Sequence, residues 1–458
     1  MRFADLAGRR IVVFGGGSEG CSAVRALAAR GLARDAVLVE DDDITRTRAA
    51  ELVANAPGAV PEVPVLGGEA GRAALAAADV VVLSPGVPWR RPEVRARLGD
   101  ATLTNPMDLA LSELANDARD VVAVTGSKGK STTTALIRHL LHLAGRDVEE
   151  GGNIGRPVLD VLDGPAAVLV IEVSSYQASL VTHAPRFGVL TALFPEHLDW
   201  HGDVDSYLAD KLRLFEGDGL ARLAVNATDE LAVARTRRAP CTPYGTPDVV
   251  HHRDGALWAG ERRLTTVAPQ LVGAHNLLNA AGALTAATFL EPDLLERTEL
   301  LDEWLGSFHP LPHRLETVAR ASGVEYVDDS IATSPDATIA ALDAFSGRAL
   351  TLLAGGHDRS LPFERLAEAL ARRGAPTLVL TMPTSGDRLA DLLDPRVDGD
   401  LDVERCASLA EAVDRAVART PSGGVVLLSP AAASYDRFSS YAHRGAEFRR
   451  LVLEALGG

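Results

Sequence analysis

The chain has 458 residues, a length that predicts about three domains at roughly 150 residues per domain. Hydrophobic residues make up 47% of it and charged residues 24%, a balance that is typical of folded globular proteins and argues against general disorder. The formal net charge is −16 and the sequence contains no basic run, which argues against a nucleic-acid groove but leaves room for small anionic ligands at local sites.

The cysteines and the N-terminal residues indicate a reducing compartment. The three cysteines (Cys21, Cys241 and Cys406) are far apart and have neither a CxxC pair nor the spacing of a metal site. The first residues run directly into an apolar strand without a signal-peptide pattern, and nowhere do about 18 apolar residues follow one another. We therefore expect a cytoplasmic protein that neither enters a membrane nor binds nucleic acid.

Short apolar runs alternate with helical stretches along the chain. The first set begins with IVVFGG and CSAVRALAARG, the second with DVVAVTG and STTTALIRHLLHLAG, and the third with VEYVDDS after SFHPLPHR. This alternation predicts parallel sheets with crossover helices. We predict an α/β fold of three domains, each a mostly parallel sheet with flanking helices: a Rossmann-like domain over residues 1–95, a P-loop domain over 96–307 and a Rossmann-like domain over 308–458.

Two helices carry clear local signals. In STTTALIRHLLHLAG, Gly145 is expected to end the helix. The apolar face before it consists of Leu136, Ile137, Leu140 and Leu141. In the third set Ser334 stands as an N-cap before Pro335, a residue that suits the first helical position.

The stretch VAVTGSKGKSTTT, residues 122–134, has the form of a phosphate-binding loop. A buried strand leads through glycines into a helix, whose free N–H groups and dipole favour phosphate oxygens. Lys130 can reach the outer phosphates, and the Ser131 hydroxyl can bind a magnesium ion. The spacing is two residues shorter than the standard Walker pattern, so a simple tight turn is the alternative, although such a turn would not need this lysine and these hydroxyls.

A second glycine pattern, Gly15-x-Gly17-x-x-Gly20, follows the first strand, and Glu40 ends the next strand. The pattern favours a diphosphate at a helix terminus and a hydroxyl near an acid. Nothing in it requires nicotinamide. Taken literally it would predict a nicotinamide-dependent oxidoreductase, and in the simplest case the glycines serve only a tight turn.

Further polar motifs stand in a fixed order where a purely structural role gives no reason for them. They are GGNIG, EVSSYQ, FPEHLDWHG, DKLRLF, GAHNLLNA, LPHR, DDSIATSPDA and LLSPAAASYDRFSSYAHRGAEF. Together with TGSKGKST they resemble the Mur ligases of peptidoglycan synthesis over nearly the whole chain. Folylpolyglutamate synthases share the ATP domain, but their likeness does not extend to the first domain or to the SPAAAS ending.

The resemblance implies a ligase that uses ATP and Mg²⁺. Among these ligases the chain is similar to the branch that adds glutamate to UDP-N-acetylmuramoyl-L-alanine. The γ-phosphate of ATP goes to the substrate carboxylate, and the amine of glutamate attacks the acyl phosphate. The protein contributes mainly positioning and charge neutralisation to such a reaction. We expect a monomer whose partners are these small molecules.

The resemblance also assigns roles to single residues. It implies that Lys130, Glu172, His197 and Lys211 are catalytic, and that Ser131, Glu172 and His197 belong to the magnesium sites. Lys211 falls where the family carries a lysine carboxylated by carbon dioxide. Taken alone, His197 is typical of a structural histidine and Lys211 of a solvated one, so both roles depend on the resemblance.

Family positions for nucleotide and substrate match further residues. For ATP they are Gly126, Ser127, Lys128, Gly129, Lys130, Ser131, Thr132, Asn276, Asn279, Arg314 and Asp329. For the UDP substrate and glutamate they are Gly17, Ser18, Glu19, Glu40, Ser84, Pro85, Gly86, Asn153, Ser174, His313, Thr333, Arg359, Ser434, Tyr435 and Tyr441.

The glutamate pocket departs from the D-glutamate branch. That branch has a lysine in an Asp-Ser-Lys-Ala-Thr run, where this chain has Ile331, and Arg359 replaces another expected lysine. Tyr435 and Tyr441 stand where that branch more often has aliphatic and Phe side chains. Such changes alter how the carboxylates of glutamate are oriented. The motifs TGSKGKSTTT, FPEHLDWHG, DDSIATSP and GGHDRSLPF are most similar to a smaller branch of these ligases that adds L-glutamate and leaves a separate epimerase to invert it. This resemblance implies L-glutamate as the substrate, and D-glutamate is the alternative. A non-catalytic binding homologue is disfavoured because the catalytic set is complete.

Overall fold

A computed structural model describes residues 1–54, 63–153, 155–267, 273–309, 312–358, 361–397, 399–434 and 437–457. The chain forms two compact units, Met1–Phe308 and His309–Gly458. The predicted α/β class is confirmed, because parallel strands alternate with helices in both units.

The first sheet of the first unit has five parallel strands in the order β3-β2-β1-β4-β5. The strands are β1 (Ile11–Phe14), β2 (Ala36–Val39), β3 (Val65–Leu66), β4 (Val80–Leu83) and β5 (Thr102–Thr104). The helices are α1 (Ser18–Ala29), α2 (Asp43–Ala54), α3 (Gly68–Ala77), α4 (Pro92–Leu98) and α5 (Pro106–Leu114). β1 and β4 are buried along their whole length, as expected for central strands covered on both faces.

The second sheet of this unit has six parallel strands in the order β11-β10-β9-β6-β8-β7. They are β6 (Asp120–Thr125), β7 (Val148–Gly152), β8 (Val168–Glu172), β9 (Phe187–Leu190), β10 (Arg222–Asn226) and β11 (Cys241–Tyr244). The helices are α6 (Lys130–Leu143), α7 (Val158–Val161), α8 (Ser175–Ala178), α9 (Leu198–His201), α10 (Val204–Leu212), α11 (Glu230–Arg235), α12 (Ala274–Ala287) and α13 (Thr298–Ser307). A small antiparallel sheet, which the sequence patterns did not predict, consists of β12 (Val250–Arg253), β13 (Ala256–Ala259) and β14 (Arg262–Arg263).

The core of this unit confirms the predicted apolar face of α6. Leu136, Ile137, Leu140 and Leu141 are fully buried, and Gly145 follows the helix with φ +87°. The buried Trp304 of α13 donates from Nε1 to the carbonyl of Leu136 at 3.0 Å. Helix α6 is thereby held at a fixed height on the sheet, which fixes where its N-terminus lies.

The second unit contains a mixed sheet in the order β15-β16-β20-β17-β18-β19, in which only the β15–β16 pairing is antiparallel among the strands described. The strands are β15 (Glu316–Ala321), β16 (Val324–Asp328), β17 (Leu350–Gly355), β18 (Thr377–Met382), β19 (Leu401–Arg405) and β20 (Val425–Leu428). The helices are α14 (Pro335–Asp343), α15 (Glu364–Ala371), α16 (Ser385–Leu393), α17 (Leu409–Arg419) and α18 (Tyr441–Ala455). The predicted cap is confirmed, because the Ser334 hydroxyl accepts from the Ala337 amide at 3.4 Å with Pro335 first in the helix.

The predicted domain boundaries stay predictions. The last strand of the first sheet, β5, lies beyond the predicted boundary at residue 95. Among the described residues, no helix is long and apolar enough to cross a membrane.

The two glycines that frame the first turn differ in the space around them, which gives a matched test of the fold. A Cβ at Gly20 would overlap the carbonyl oxygen of Gly15 and lie 2.7 Å from the Ser84 hydroxyl, whereas a Cβ at Gly17 would meet nothing within 4 Å. We expect Gly20→Ala to cost about 3 kcal/mol of unfolding free energy, because the backbone must shift, and Gly17→Ala about 1 kcal/mol or less. Thermal unfolding of both variants measures this, and equal melting temperatures would contradict the described turn.

Candidate active site

A cavity of about 560 Å³ opens at the end of the first sheet, where β1 and β4 lead into loops. Eight residues that the sequence analysis assigned to the UDP substrate line it: Gly17, Ser18, Glu19, Glu40, Ser84, Pro85, Gly86 and Asn153. Asn153 lies next to the second sheet, because its amide donates to the carbonyl of Glu172 at 2.9 Å. The structure thus brings these eight residues together in one cavity of the first unit.

Glu40 holds the first glycine turn in place. Its carboxylate accepts from the Gly16 amide at 2.7 Å and from the Asp42 amide at 3.0 Å. The turn is closed from the other side by the Ser84 hydroxyl, which donates to the Gly15 carbonyl at 2.7 Å. Both oxygens of Glu40 are therefore already engaged, and a ribose hydroxyl would have to share them.

Glu19, in the first turn of α1, is a carboxyl group in an unusual place. One oxygen accepts from Gln177 Nε2 at 2.9 Å, and the other is buried and has no partner among the described residues. Burial raises the pKa of Glu19 to about 7, with Asp160 adding to the rise and Gln177 opposing it. Near neutral pH this acid is therefore partly protonated and able to donate a hydrogen bond.

The phosphate loop, residues 126–129, joins β6 to α6. Gly126 and Gly129 have φ values of +149° and +88°, which side chains with a Cβ rarely adopt. Lys130 folds back over the loop, and its Nζ donates to the carbonyls of Gly126 at 3.1 Å and Ser127 at 3.2 Å. The loop and its lysine have the expected strand–turn–helix placement.

Side chains of the phosphate loop are anchored inside the protein. The Ser127 hydroxyl donates to the Phe194 carbonyl at 2.6 Å and lies 2.7 Å from the Tyr207 hydroxyl, while Lys128 Nζ pairs with Glu196 at 3.2 Å. Ser127 is buried and its backbone amide donates to the Ala192 carbonyl at 2.5 Å, so both its amide and its hydroxyl are engaged within the protein. Ser131 and Thr132 follow in the first turn of α6, where Ser131 is buried and Thr132 half-buried.

Glu172 ends β8 and has the features of a metal ligand. The side chain is buried, and one oxygen accepts from Asn153 Nδ2 at 2.7 Å. The other oxygen, Oε2, is buried without a partner among the described residues. An unpaired buried carboxylate oxygen is costly, and a hard divalent cation would compensate it, so the residue fits a magnesium site.

His197 is placed differently from Glu172. It is exposed, has φ +56°, and its ring lies 5.1 Å from the ring of Tyr176. In the described parts of the chain, the only three His, Cys, Asp or Glu side chains whose ligand atoms converge are His313, Glu316 and Asp328 of the second unit. Glu172 and His197 therefore do not form a three-residue cluster of this kind, and the metal role of His197 stays a prediction.

Lys211 is buried in α10 and is not the solvated lysine that its sequence context alone would predict. Its Nζ donates to the Gly126 carbonyl at 2.9 Å, the same oxygen that accepts from Lys130. Burial holds the pKa of Lys211 well below its ordinary value, and the nearby Lys130 lowers it further. The nearby carboxylates of Glu196 and Glu172 oppose this lowering.

The start of α12 lies against the phosphate loop. A Cβ on Gly129 would overlap the Asn279 side chain, and Asn279 Nδ2 lies 3.4 Å from Asn276 Oδ1. The first unit thus carries both asparagines of the predicted ATP set beside the loop.

Ser174, also assigned to substrate, caps α8 by accepting from the Gln177 amide at 3.2 Å.

In the second unit the predicted residues surround the end of β16. His313 Nδ1 lies 2.7 Å from Asp328 and its amide donates to Glu316 at 2.9 Å, so the converging cluster is an internal hydrogen-bonded network. Asp329 accepts from the Ser429 hydroxyl at 2.8 Å, and burial raises its pKa to about 7.

The other predicted residues of this unit vary in exposure. The Nε of Arg314 is buried without a partner in the described part of the chain. Ser434 is buried, Thr333 half-buried, and Tyr441 is exposed at the start of α18. Arg359 and Tyr435 lie outside the described residues.

Sequence reasoning missed several residues of the first cavity. Gln177 holds Glu19, and Arg97 stacks over Phe14 at 4.9 Å while pairing with Asp41 at 2.6 Å. These pairs join residues far apart in the chain, so no local pattern could indicate them. Gln177 stands in the quoted motif EVSSYQ, which was the one available signal.

Comparison with known protein families agrees with this arrangement. The Mur ligase MurD-like N-terminal domain matches residues 9–102, the Mur ligase middle domain matches 124–287, and the Mur ligase glutamate ligase domain matches 313–432. A UDP-N-acetylmuramoyl-L-alanine–L-glutamate ligase of a Micromonospora species is 43% identical over all of this chain and 99% of its own length. A UDP-N-acetylmuramoylalanine–D-glutamate ligase of Chromobacterium violaceum is 36% identical over 97% of each chain.

Solved structures share the fold. The UDP-N-acetylmuramate–alanine ligase of Thermotoga maritima has a TM-score of 0.56 at 18% identity, covering 98% of this chain and 100% of its own. The MurF ligase of the same organism, solved with ADP, has a TM-score of 0.54 at 16% identity and 99% coverage of both chains. The three matching domains and the full-length identity lead to one conclusion: the chain belongs to the Mur ligase family.

Proposed function

We propose that this chain is an ATP-dependent ligase that joins L-glutamate to UDP-N-acetylmuramoyl-L-alanine in the synthesis of peptidoglycan precursors. The observation that carries the proposal is the 43% identity, over 99% of its length, to a relative named for this reaction. A relative named for D-glutamate is 36% identical, as is one of the more distant relatives named for L-glutamate, so two L-glutamate relatives, both at 43%, carry the choice. Ile331 in place of a lysine supports the same choice, because it changes the charge available to the carboxylates of glutamate.

The proposed chemistry has two steps. An oxygen of the substrate's alanine carboxylate attacks the γ-phosphorus of ATP, ADP leaves, and an acyl phosphate forms. The amine of glutamate then attacks the acyl carbon, inorganic phosphate leaves with that oxygen, and the amine loses a proton. Phosphate is a good leaving group where oxide is not, so positioning and charge neutralisation suffice for catalysis.

The phosphate loop and α6 would hold the β- and γ-phosphates of ATP. The N–H groups around Gly129 point from the helix start, and Lys130 would exchange the carbonyls of Gly126 and Ser127 for phosphate oxygens. Asn276 and Asn279 would contact the nucleotide from α12, and the resemblance assigns ATP roles to Arg314 and Asp329 as well. The relative solved with ADP supports nucleotide use by this fold.

Ser131 and Glu172 would hold Mg²⁺, and the unpartnered Oε2 of Glu172 supports this assignment. When bound, the ion neutralises phosphate charge. Lys211 would react as a neutral amine with carbon dioxide, forming an N–C bond and releasing one proton. The resulting carbamate anion would suit a site beside Lys130, where two ammonium groups would repel each other.

The cavity of the first sheet would hold the UDP end of the substrate, with the diphosphate at the start of α1. A carboxylate at Glu19 would repel that diphosphate, but a protonated Glu19 can donate to it. In the second unit Thr333, Ser434, Tyr441, Arg359 and Tyr435 would form the glutamate pocket. We further propose that the reaction occurs in the cytoplasm, where ATP is supplied, that the protein acts as a monomer, and that a separate epimerase inverts the product.

The direct test is phosphate release from ATP with Mg²⁺ and UDP-N-acetylmuramoyl-L-alanine, comparing L- with D-glutamate. We expect kcat/KM at least about 100-fold higher with L-glutamate, because a misoriented carboxylate leaves charged groups of the pocket unpaired. Reactions without the UDP substrate or without glutamate are the controls. Equal or faster turnover with D-glutamate would overturn the stereochemistry, and no turnover with either would overturn the function.

The pKa of Glu19 predicts how affinity for the uridine-diphosphate moiety depends on pH. Because the pKa is about 7, ionisation above this pH places a carboxylate beside the diphosphate. We expect the affinity of the wild type for UDP to fall about tenfold between pH 6 and pH 8.5, measured by calorimetry. Glu19→Gln keeps the shape without the charge and should remove most of this fall; an unchanged pH dependence in that variant would contradict the role.

A further inference from the structure

Asp210, the residue before Lys211, is fully buried and makes an unusual set of contacts. Arg90 donates to its Oδ2 from Nε at 3.1 Å and to its Oδ1 from Nη2. His201 Nδ1 lies 2.8 Å from Oδ2. His201 is also buried, and its Nε2 lies 2.9 Å from the hydroxyl of Ser175. A buried carboxylate that is removed from water requires such partners, so the ion pair with Arg90 and the contact with His201 hold the set together.

The residues of this set come from three parts of the proposed site. Arg90 follows the loop of Ser84 and Gly86, which lines the UDP cavity. Asp210 lies beside Lys211 in α10. Ser175 begins α8, three residues after Glu172. The set therefore joins three elements: the loop after β4 that lines the UDP cavity (the UDP loop), helix α10, which carries Lys211, and helix α8, which follows Glu172.

Besides the Arg90–Asp210 pair, the neighbouring Trp89 connects the UDP loop to the end of α8. Trp89 Nε1 donates to the Ser179 hydroxyl at 3.4 Å, and the guanidinium of Arg90 stacks over the Trp89 ring at 4.4 Å. The loop can therefore move only if these contacts move with it. Any shift of the loop on binding UDP would be carried to α8 and α10.

Helix geometry explains how an anchor at Asp210 acts on Lys211. Successive residues of an α-helix point about 100° apart, so the two side chains leave α10 in different directions. Asp210 points to Arg90 and His201, while Lys211 points to the Gly126 carbonyl of the phosphate loop. Fixing Asp210 fixes the rotation of the helix and hence the position of the Lys211 amine.

The side chains of Ser175, His201 and Asp210 are linked in the same order as the Ser–His–Asp triad of hydrolases, but a role for Ser175 as a nucleophile does not fit. Ser175 and His201 are each only 2% exposed, so a substrate cannot reach the hydroxyl. Asp210 is in addition engaged by Arg90. The arrangement suits a positioning role better than a hydrolytic one.

We propose that Arg90, Asp210, His201 and Ser175 form a positioning network that couples occupancy of the UDP cavity to the placement of Lys211. The inference rests on the proposed function, because that function assigns the cavity to the UDP end of the substrate. None of the four residues contacts reacting atoms. They act through the loop and the helix that they join.

Hydrogen exchange with UDP as the probe tests the coupling without depending on turnover. In the wild type we expect UDP to slow amide exchange both in residues 15–20, beside the cavity, and in residues 204–212, which form α10, by at least about fivefold. In Arg90→Gln the slowing at residues 15–20 should persist and that at 204–212 should be lost. Arg91→Gln, at the exposed neighbouring position, is the matched control and should behave as the wild type.

A second variant separates coupling from simple destabilisation. Arg90→Gln leaves the buried carboxylate of Asp210 without its guanidinium, which lowers the melting temperature. The double variant Arg90→Gln, Asp210→Asn removes the buried charge and should restore the melting temperature. It should not restore the slowing of amide exchange at residues 204–212. In turnover, this double variant should keep the KM for ATP within about twofold while kcat falls at least about tenfold.

The outcomes distinguish the two levels of the proposal. Two results would overturn the network and leave the proposed function intact. One is that the slowing at residues 204–212 persists in Arg90→Gln. The other is that it is absent from the wild type although residues 15–20 respond. No response to UDP at residues 15–20 would contradict the assignment of the cavity, and with it both proposals.

Discussion

One carbonyl oxygen, that of Gly126, receives hydrogen bonds from two lysines, Lys130 at 3.1 Å and Lys211 at 2.9 Å. Lys211 is buried and lies near Lys130, and both conditions hold the pKa of its amine well below the ordinary value of a lysine. Gly126 has φ +149°, which other residues rarely adopt, and a Cβ at this position would overlap the Thr191 hydroxyl. The chemistry proposed for this site depends on that shared oxygen, since it places the buried amine of Lys211 beside the lysine that is proposed to bind phosphates.

The two glycine turns of the first unit use the same physics for different ligands. Both deliver a buried parallel strand to the N-terminus of a helix, where N–H groups favour anions. The turn at Gly126 adds a lysine and a buried acid, Glu172, one of whose oxygens has no partner among the described residues, which suits a triphosphate and a cation. The turn at Gly15 instead adds Glu19, an acid whose pKa is raised to about 7. This turn suits a ligand that is held by a hydrogen bond from the protonated acid and by the dipole of α1, without a lysine.

Local patterns were sufficient to predict the framework. The apolar runs IVVFGG, DVVAVTG and VEYVDDS fall on β1, β6 and β16, the face of α6 and the Ser334 cap are as predicted, and glycines placed both turns. The antiparallel hairpin of β12 and β13 was missed although Asp254-Gly255, with φ values of +52° and +74°, is the turn signal for it. Taken alone, Lys211 is typical of a solvated lysine, and its burial in the structure depends on packing that a single sequence does not display.

Contacts between distant residues were beyond local reasoning. Arg90 and Asp210 are 120 positions apart, and Glu19 and Gln177 are 158 apart. Glu40 was correctly expected beside the first turn, yet its engagement by the amides of Gly16 and Asp42 follows only from the folded backbone. Such pairs decide which charged groups are available to a ligand. The sequence could therefore indicate candidate site residues, but not which of their charges are already engaged by partners.

The central claim is that ATP activates the substrate by forming an acyl phosphate. It is tested most directly with UDP-N-acetylmuramoyl-L-alanine that carries ¹⁸O in the alanine carboxylate. After turnover with ATP and L-glutamate, mass spectrometry of the released phosphate should find one ¹⁸O atom transferred from the substrate, because the carboxylate oxygen leaves with phosphorus. Phosphate free of ¹⁸O, with amide product formed, would contradict the account.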